Sequence, residues 1–481
     1  MGVVIESSVW EPNLALYIFI FISCLLSIFI FPYASNNNSS IKTSALFDHG
    51  FSSSFLRFQR NFLFVYSLAS AMEGLWAVFG EFELAHYGFS REQMILSLCV
   101  GSAAALFVGT FLGVLSDLIG QKKVCLIFCI LHLFVGIWKR IIGHPSVLVA
   151  SICLSLTSSI FSFSFETWVV VQHEKQGLRQ DSMSDTFWLM TFFESASYIG
   201  SQVLANWLIG DNMEKNIASP SNAAILLGMI SVTSVTVGLK GPSQTASFKE
   251  YRVSFYSYIL GDRRICLLAW AQACLHFSIT VFWLLWAPTL VADGREVHLG
   301  LVYPCMLGAR MLGSTVFPWL ISGPSPLRTE DCLLYSFIVL GLVLSIIAYD
   351  YQEIEVLVAL FCLFHGCVGL ILPSLARLRT MYVPNELRGG MMSLSLAPAN
   401  AAILLFMTQL VGWCTSGRMI IILIYSDGNI HNHLYTKGVY HRNIGNAAII
   451  AFAAMCLLTA AGGMHVLKRL GKQPYQNWHK L

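Results

Sequence analysis

The sequence predicts an all-α polytopic membrane protein, in which one extra N-terminal transmembrane helix precedes a core of six plus six helices. Of the 481 residues, 56% are hydrophobic and only 11% are charged, whereas a soluble domain carries about 25% charged residues. The mean hydropathy is +0.66. Apolar runs of about 20 residues, the length that crosses a bilayer, recur along the chain. This composition excludes a soluble multidomain enzyme.

The first apolar run extends from Leu14 to Phe31, and it follows a polar segment that contains Glu6 and Glu11. A cleaved signal peptide would begin with basic residues and end at a site of small residues. We therefore expect an uncleaved helix, followed by a cytoplasmic linker, within residues 1–60.

Twelve further apolar runs follow in two sets of six. The first set predicts an N-terminal half at 61–239, and the second predicts a C-terminal half at 265–468. A basic cytoplasmic linker at 240–264 joins the halves, and residues 469–481 form a cytoplasmic tail. Whether residues 413–445 contact the membrane stays open, since their apolar stretch is too short to span it. The twelve runs are 61–85, 93–116, 124–142, 147–171, 186–209, 221–239, 265–291, 299–321, 332–349, 356–376, 390–412 and 446–467.

The distribution of positive charge predicts the orientation. Cytoplasmic segments carry an excess of Lys and Arg, and an external N-terminus places 20 of the 29 basic residues on the cytoplasmic side. Lys139 and Arg140 fall on the other side. The net charge of +3 provides no basic field for nucleic acid. The thirteen cysteines lie mostly inside apolar runs, so we interpret them as small buried hydrophobic residues.

A few ionisable residues lie well inside the predicted spans. A charge there costs at least about 2.5–3.5 kcal/mol, so it usually faces a cavity or a partner. At 1.5 Å per residue, several of these residues lie roughly 15–18 Å deep, which is the midplane where transporters bind their substrates. If the twelve core helices are numbered in order from residue 61, helices 6, 9 and 12, which we expect at the periphery, carry no such ionisable residue. The residues are Glu73, Glu166, Glu194 and Arg310, with His132, His276 and His365 as weaker cases.

Each of these residues has a structural alternative. We expect His132 and His365 to be core residues that bond to backbone carbonyl groups. Glu73 and Arg310 favour a functional role, because a buried charge without a partner is too costly to keep. For Glu166 and Glu194 the two alternatives are balanced.

The sharpest motif lies between core helices 2 and 3, from Gly113 to Lys123, and it matches the G-x-x-x-D-x-x-G-[RQ]-[RK]-[RK] signature of the major facilitator superfamily. Gly113 permits close helix approach, and Asp117 can accept hydrogen bonds from the N-terminus of a neighbouring helix. Gly120 permits a tight turn, and Lys122 with Lys123 fixes that turn in the cytoplasm. We expect a gating latch that breaks and reforms. An ordinary turn with two lysines is the alternative.

A series of short segments recurs in order over most of residues 54–410. They are Ser54-Phe55-Leu56-Arg57-Phe58-Gln59, Phe165-Glu166-Thr167-Trp168, His173-Glu174, Asp262-Arg263-Arg264, Leu285-Trp286-Ala287-Pro288, Gly369-Leu370, and Pro373-Ser374 near Arg377 and Arg379. In these segments the chain resembles, within that superfamily, the molybdate-anion transporter family. The resemblance implies secondary transport of an oxyanion and includes the extra helix before the usual twelve.

The chain departs from that family at positions expected to line the cavity. In core helix 1 a carboxylate remains at Glu73, but the family's Gln and Pro are absent. His276 stands where the family has a glutamate, and Leu396, shortly before Pro398, stands where it has an arginine. These differences put molybdate itself in question, and Arg310 is positioned to supply the lost positive charge.

The leading hypothesis is a secondary transporter that binds a small oxyanion between its halves. Arg310 would attract the anion, while Trp76 and Gln272 would line the site. Glu73 or His276 would accept a coupled proton, since a buried Glu can titrate near neutral pH and His does so unaided. Glu166 and Glu194 complete the candidate charge relay. The expected surroundings are the lipid bilayer of the plasma membrane or an endomembrane, with a monomeric transport unit and no cofactor.

Other functions remain open. One is a non-transporting sensor or scaffold that kept the fold, and another is a transporter of an unrelated organic solute. A membrane enzyme has little support, since no HExxH, GxSxG or CxxC motif is present. We interpret His431, His433 and His441 as bystanders and expect no metal. The sequons at Asn37 and Asn38 lie in the predicted cytoplasm, where glycosylation does not occur.

Overall fold

A computed structural model describes residues 9–36, 53–86, 91–141, 146–175, 180–209, 219–238, 248–292, 295–322, 326–349, 353–415 and 444–471. Within these ranges the regular structure is helical, apart from one isolated β-bridge. The helices are α1 (Leu14–Asn36), α2 (Ser53–His86), α3 (Arg91–Ala104), α4 (Thr110–Ile119), α5 (Gln121–Ile141), α6 (Val147–Lys175), α7 (Gln180–Ile209), α8 (Ser219–Gly238), α9 (Phe248–Phe255), α10 (Arg263–Leu290), α11 (Leu299–Ser322), α12 (Thr329–Ala348), α13 (Ile354–Tyr382), α14 (Arg388–Thr415) and α15 (Ile444–Gly471).

Each predicted apolar run coincides with a helix, because an apolar segment in lipid must satisfy its own backbone hydrogen bonds. Eleven helices in the described ranges are long and apolar enough to cross a membrane. This number counts α3, the π-helical turn Ala105–Gly109 and α4 as one span. α1 contributes a shorter apolar stretch, Leu14–Phe29. α7 is 30 residues long, carries Glu194 and packs centrally against α2, α11 and α13.

The core helices pack as two groups of six. The N-terminal half comprises α2 to α8, with α3 and α4 as one span, and the C-terminal half comprises α10 to α15. Equivalent helices pack alike: α5 contacts α6 and α8 in the first half, as α12 contacts α13 and α15 in the second. The halves meet mainly where α4 packs on α14 and where α7 packs on α11. The protein is therefore an integral multi-pass membrane protein with a six-plus-six core.

The two ends of the bundle differ in their connections. We call one the motif end; it contains the turn at Gly120 and the connection 383–387 between α13 and α14. The other is the opposite end, and it contains Trp10 and residues 295–298. Gly120 has a φ of 98°, a left-handed conformation that glycine adopts without a steric penalty.

The extra helix α1 packs on α11 of the C-terminal half. Cys24 Sγ donates to the Gly308 carbonyl at 3.8 Å, and Tyr17 and Ser27 donate to other α11 carbonyls. A Cβ atom at Gly308 would lie 2.9 Å from Ile20, so the glycine permits this close approach. At the opposite end, Trp10 N donates to a carbonyl of the loop before α11 at 2.9 Å. α1 therefore belongs to the C-terminal half, although it precedes the N-terminal half in the chain.

The linker between the halves contains a helix that the sequence analysis did not assign. This helix, α9, continues into the π-helical turn Tyr256–Leu260. Tyr251 stacks on Phe255 with ring centroids 5.8 Å apart, and Tyr251 is buried. Lys249 and Arg252 are exposed on the same short helix. The linker therefore packs Tyr251 and Phe255 on the bundle at the motif end, whereas Tyr256 and Tyr258 are exposed.

Candidate site between the two halves

A buried ion pair joins the halves near the middle of α7 and α11. Arg310 Nη2 donates to Glu194 Oε1 at 2.6 Å, and the Tyr66 hydroxyl donates to Glu194 Oε2 at 2.6 Å. Arg310 is only 8% exposed. Both carboxylate oxygens are thus occupied, whereas Arg310 Nε has no hydrogen-bond partner among the described residues. Since a buried charge-assisted bond is stronger than a neutral one, this pair fixes the two halves against each other.

Aromatic groups surround the central pair. Tyr198 and Tyr303 lie within electrostatic range of Arg310. His365 also lies within that range, and its ring packs 4.9 Å from both Phe282 and Trp283. Neither nitrogen of His365 has a partner in the described part of the chain. The predicted bond from His365 to a backbone carbonyl is therefore wrong, since aromatic rings occupy its surroundings.

A second ion-pair group lies closer to the motif end. Arg379 on α13 donates from Nε and Nη2 to the two oxygens of Glu166 on α6, at 2.8 and 2.5 Å. Arg379 Nη1 donates to Gln272 Oε1 on α10 at 3.1 Å. Arg388, the first residue of α14, places Nη1 3.6 Å from Glu166 and donates from Nη2 to Asn385 Oδ1 at 3.2 Å. One carboxylate of the N-terminal half thus faces two guanidinium groups of the C-terminal half.

The motif aspartate caps the N-terminus of α14. Asp117 Oδ1 accepts from Gly389 N at 3.0 Å, and Oδ2 accepts from Gly390 N at 2.7 Å. Gln121 Nε2 and the Tyr251 hydroxyl also donate to this carboxylate, at 3.2 and 3.0 Å. A carboxylate at this position satisfies amide groups that have no partner within the helix. Burial and the neighbouring negative charge raise the pKa of Tyr251 above its ordinary value, so its hydroxyl stays protonated and donates.

Glycines bring α4 and α14 into contact beside this cap. A Cβ atom at Gly113 would lie 1.9 Å from Ser393 Oγ and 2.5 Å from the carbonyl oxygen of Gly389. A Cβ atom at Gly389 would lie 2.6 Å from Asp117 Oδ1. These distances leave no room for a side chain, so the cap depends on backbone contact. Lys122 Nζ donates to a carbonyl near the end of α8 at 3.3 Å, and Lys123 is exposed.

Glu73 forms a pair inside the N-terminal half. Its Oε1 lies 3.0 Å from His132 Nε2 on α5, and His132 is fully buried. Glu73 also lies within electrostatic range of Tyr198, which faces Glu194 and Arg310. The predicted backbone-carbonyl partner for His132 is therefore wrong: its partner is a carboxylate. His132, which lies on core helix 3, thus has a carboxylate partner on α2.

The remaining predicted site residues lie in separate places. Gln272 belongs to the Arg379 group described above, while His276 Nε2 lies 3.3 Å from Asn400 Oδ1. Trp76 is buried in a small apolar cluster of the N-terminal half, and the Lys139 ammonium lies 4.4 Å from the centre of its ring. This cation–π contact holds Lys139, one of the two basic residues that depart from the predicted orientation.

One contact joins the halves toward the opposite end. Pro304 in α11 has no N–H to donate to the carbonyl of Gly300, four residues earlier. Gln202 of α7 supplies the missing donor, with its Nε2 2.8 Å from that oxygen. The proline thus frees a backbone acceptor that the other half uses.

The sequence analysis missed several of these residues. Arg379 was named only as part of the family resemblance and Arg388 was not singled out, yet they are 5% and 0% exposed. Tyr251 lay in a segment interpreted only as a basic linker. Arg379 lies on the same continuous helix as Pro373, because α13 extends beyond the predicted apolar run. Its place shortly after Pro373 was the available signal that Arg379 belongs to the helix. His431, His433 and His441 lie outside the described residues, as do the sequons at Asn37 and Asn38.

Comparison with known proteins identifies the family. Residues 36–368 match a family described as sugar transporters with twelve transmembrane segments. The chain is 26% identical to a molybdate-anion transporter of Xenopus tropicalis over 72% of its own length and 77% of the relative's. It is 26% identical to the molybdate-anion transporter of Danio rerio over 70% and 76%.

Solved structures share the fold. A bacterial homologue of the iron transporter ferroportin, in an outward-facing state, matches with a TM-score of 0.62 and 15% identity, covering 85% of this chain and 99% of the other. The same homologue with soaked iron matches with a TM-score of 0.61, 13% identity, and coverage of 86% and 99%. The family match spans more than half of the chain, and the six-plus-six fold and the molybdate-anion relatives agree with it. The chain therefore belongs to this twelve-helix transporter family of the major facilitator superfamily, as a divergent relative of the molybdate-anion transporters.

Proposed function

We propose that this protein is a secondary transporter that carries a small oxyanion by alternating access, with Arg310 as the group that binds the anion. The observation on which the proposal depends is the buried pair between Arg310 and Glu194, because it joins the two halves at their centre. An incoming anion offers oxygens that can replace those of Glu194. Binding would then exchange one partner of Arg310 for another, and the exchange would loosen the contact between α7 and α11.

The energetics favour such an exchange over simple loss of the pair. Removing one partner of a buried ion pair costs about 3–5 kcal/mol, because the other charge is left without compensation. An oxyanion spares Arg310 that cost, and the Nε of Arg310, which has no partner in the part of the chain that the structure describes, gives the anion a donor that Glu194 does not use. Glu194 keeps its bond from Tyr66 when it leaves. The relatives named molybdate-anion transporters agree with an anionic substrate.

A neutral organic solute is a second candidate. The central pair is neutral as a whole, and the matching family is described as sugar transporters. Aromatic side chains near Arg310, including Trp283 and Tyr303 with ring centroids 5.5 Å apart, would suit a sugar ring. Transport of a neutral solute would leave Glu194 paired with Arg310 throughout the cycle.

The experiment measures uptake of radiolabelled molybdate, sulfate and glucose into proteoliposomes. Arg310→Gln should lower uptake of the preferred anion about 10-fold or more, the effect of losing a charged hydrogen bond. Arg377→Gln, a half-buried arginine on α13, is the matched control. If Arg310→Gln at equal reconstitution leaves uptake of both anions unchanged, the assignment is wrong. Uptake of glucose alone by the unmodified protein supports the neutral-solute candidate.

Coupling to protons is assigned here to Glu73 and His132. This pair lies in one half, with His132 fully buried and Glu73 partly buried, and Glu73 interacts with Tyr198, which faces the central charges. Protonation of Glu73 would remove a negative charge from beside Glu194, which would strengthen binding of an anion. Anion uptake driven by an inward proton gradient should therefore lose its pH dependence in Glu73→Gln. Unchanged pH dependence in that variant would contradict the assignment.

A scaffold that does not transport is the remaining alternative. The cap formed by Asp117 on α14 has a role in a protein whose halves move, because it joins them at one end only. Asp117→Asn should change the transport rate of a carrier, whereas it should leave the expression level of a static scaffold unchanged. We place the transporter in the plasma membrane, as the resemblance implies; surface biotinylation tests this location.

A further inference from the structure

The ion pairs between the halves have a consistent polarity. Glu166 and Glu194 are carboxylates of the N-terminal half, and their partners Arg310, Arg379 and Arg388 all belong to the C-terminal half. When the halves separate, the carboxylates therefore leave together with one half, and the guanidinium groups remain on the other.

In the group near the motif end, two guanidinium groups share one directly paired carboxylate. Arg379 gives Glu166 two hydrogen bonds, whereas Arg388 approaches the same carboxylate only at 3.6 Å. Arg388 is fully buried, and its Nε and Nη1 have no hydrogen-bond partner among the described residues. The other carboxylates within electrostatic range of Arg388 are Asp117 and Glu174, and both belong to the N-terminal half. Buried donors without acceptors are costly, so the Nε and Nη1 groups of Arg388 favour a further acceptor.

We propose that Arg379, Arg388 and Gln272 form a second anion-binding site, which takes a small dianionic oxyanion when the motif end opens. This site rests on the proposed function, because it would receive the same substrate. Glu166 occupies the place of the anion in the closed state. Its two carboxylate oxygens accept from Nε and Nη2 of Arg379, the fork of the guanidinium group, at 2.8 and 2.5 Å. Two oxygens of a tetrahedral anion fit the same fork.

The start of α14 adds to the attraction. Gly389 and Gly390 direct their amide groups to Asp117 in the closed state. Opening removes Asp117 together with Glu166, since both belong to the N-terminal half. The freed amides and the positive end of the helix then face the same space as Arg388 and favour an anion there. The carboxylates thus act as internal substitutes for the substrate, and they pair with these cationic groups and amides while the motif end is closed.

The test compares transport measured from each side of the membrane. Right-side-out and inside-out vesicles containing the full chain are loaded with molybdate or sulfate, and KM is determined for the motif-end side and for the opposite side. Arg379→Gln should raise the KM at the motif end about 10-fold or more and leave the KM at the opposite end within about two-fold. Glu166→Gln should lower the KM at the motif end several-fold, because the internal competitor loses its charge. Arg377→Gln, two residues away on α13, is the matched control.

Other results would overturn the inference. If Arg379→Gln changes the KM equally on both sides, or changes only the maximal rate, the residue serves as a gate contact and no second site exists. Should Arg379→Gln fail to fold, Arg379→Lys keeps the charge but loses the fork, and it should raise the motif-end KM alone. Different results would contradict the proposed function itself: the unmodified protein would transport neither anion, or Arg310→Gln would have no effect on transport from either side.

Discussion

Substitution of Gly113 by alanine should open the motif end, and the structure gives the size of the effect. The new Cβ would lie 1.9 Å from Ser393 Oγ and 2.5 Å from the carbonyl oxygen of Gly389. The serine can change its rotamer, but the carbonyl belongs to the backbone of α14. Relief of that contact requires α4 and α14 to move apart by nearly an ångström, because the distance to the carbonyl oxygen is about that much shorter than a normal van der Waals distance.

This movement acts directly on the cap. Asp117 lies one turn after Gly113 on α4, and its bonds to Gly389 N and Gly390 N measure 3.0 and 2.7 Å. Overpacking a tight contact costs about 1–3 kcal/mol, and loss of an N-cap costs about 1 kcal/mol more. The lower end of this sum, about 2 kcal/mol toward the open state, corresponds to about a 30-fold change in the equilibrium.

Hydrogen exchange at the start of α14 measures this change without a substrate. The amides of Gly389 and Gly390 are protected by Asp117, so their exchange in the purified protein reports opening of the motif end. Gly113→Ala should accelerate it about 30-fold. The control is Gly200→Ala on α7, where a Cβ atom meets nothing within 4 Å. The double variant Gly113→Ala with Ser393→Gly should recover part of the protection.

Two outcomes would refute the reasoning. One is unchanged exchange of the α14 amides in Gly113→Ala, which would mean that the glycine contact does not hold the cap. The other is equal acceleration in Gly200→Ala, which would mean that any added methyl group loosens the bundle.

Three further substitutions test individual contacts. Tyr251→Phe removes one donor from the buried Asp117 carboxylate, so exchange of the α14 amides should rise about 5- to 30-fold, and an unchanged rate would contradict the role of the linker helix. His365→Phe replaces an imidazole that has no hydrogen-bond partner among the described residues, and because burying such a group unpaired costs about 1–3 kcal/mol, the thermal midpoint in detergent should rise by a few degrees; a fall would show that the imidazole has a partner. Gln202→Ala leaves the Gly300 carbonyl without a donor and should accelerate exchange in the first turn of α11, whereas exchange at the motif end should not change.

The helices could be predicted from sequence because the bilayer imposes their length. Every apolar run became a helix, and the polar linker was the place where a helix was missed. That short helix, α9, is stabilised by Tyr251 and Phe255 packing on the bundle, and a pattern within eight residues carries no sign of such a contact. Tertiary packing often decides the structure of short segments.

The candidate site was predictable in part. Burial cost singled out Glu73, Glu194 and Arg310, and each of them has a buried partner. The partners themselves could not be assigned, since they lie far away in the chain and several acidic residues were available. Arg379 and Arg388 were missed for a different reason: a cation near a helix end is usually solvated, and only the arrival of Glu166 from the other half makes these two buried.

The position of α1 determines how the halves are joined by the chain. α1 runs alongside α11 toward the motif end, packed on the C-terminal half, and residues 37–52 then lead to α2 of the N-terminal half. Residues 239–247 with α9 provide the other crossing, also from the motif end, where Lys122 bonds the end of α8. The halves thus have two covalent tethers at one end. Opening at the motif end thus separates halves that the chain also connects at that end, while the opposite end is restrained by side-chain contacts such as that of Gln202, so the two ends differ in the kind of restraint that opposes their opening.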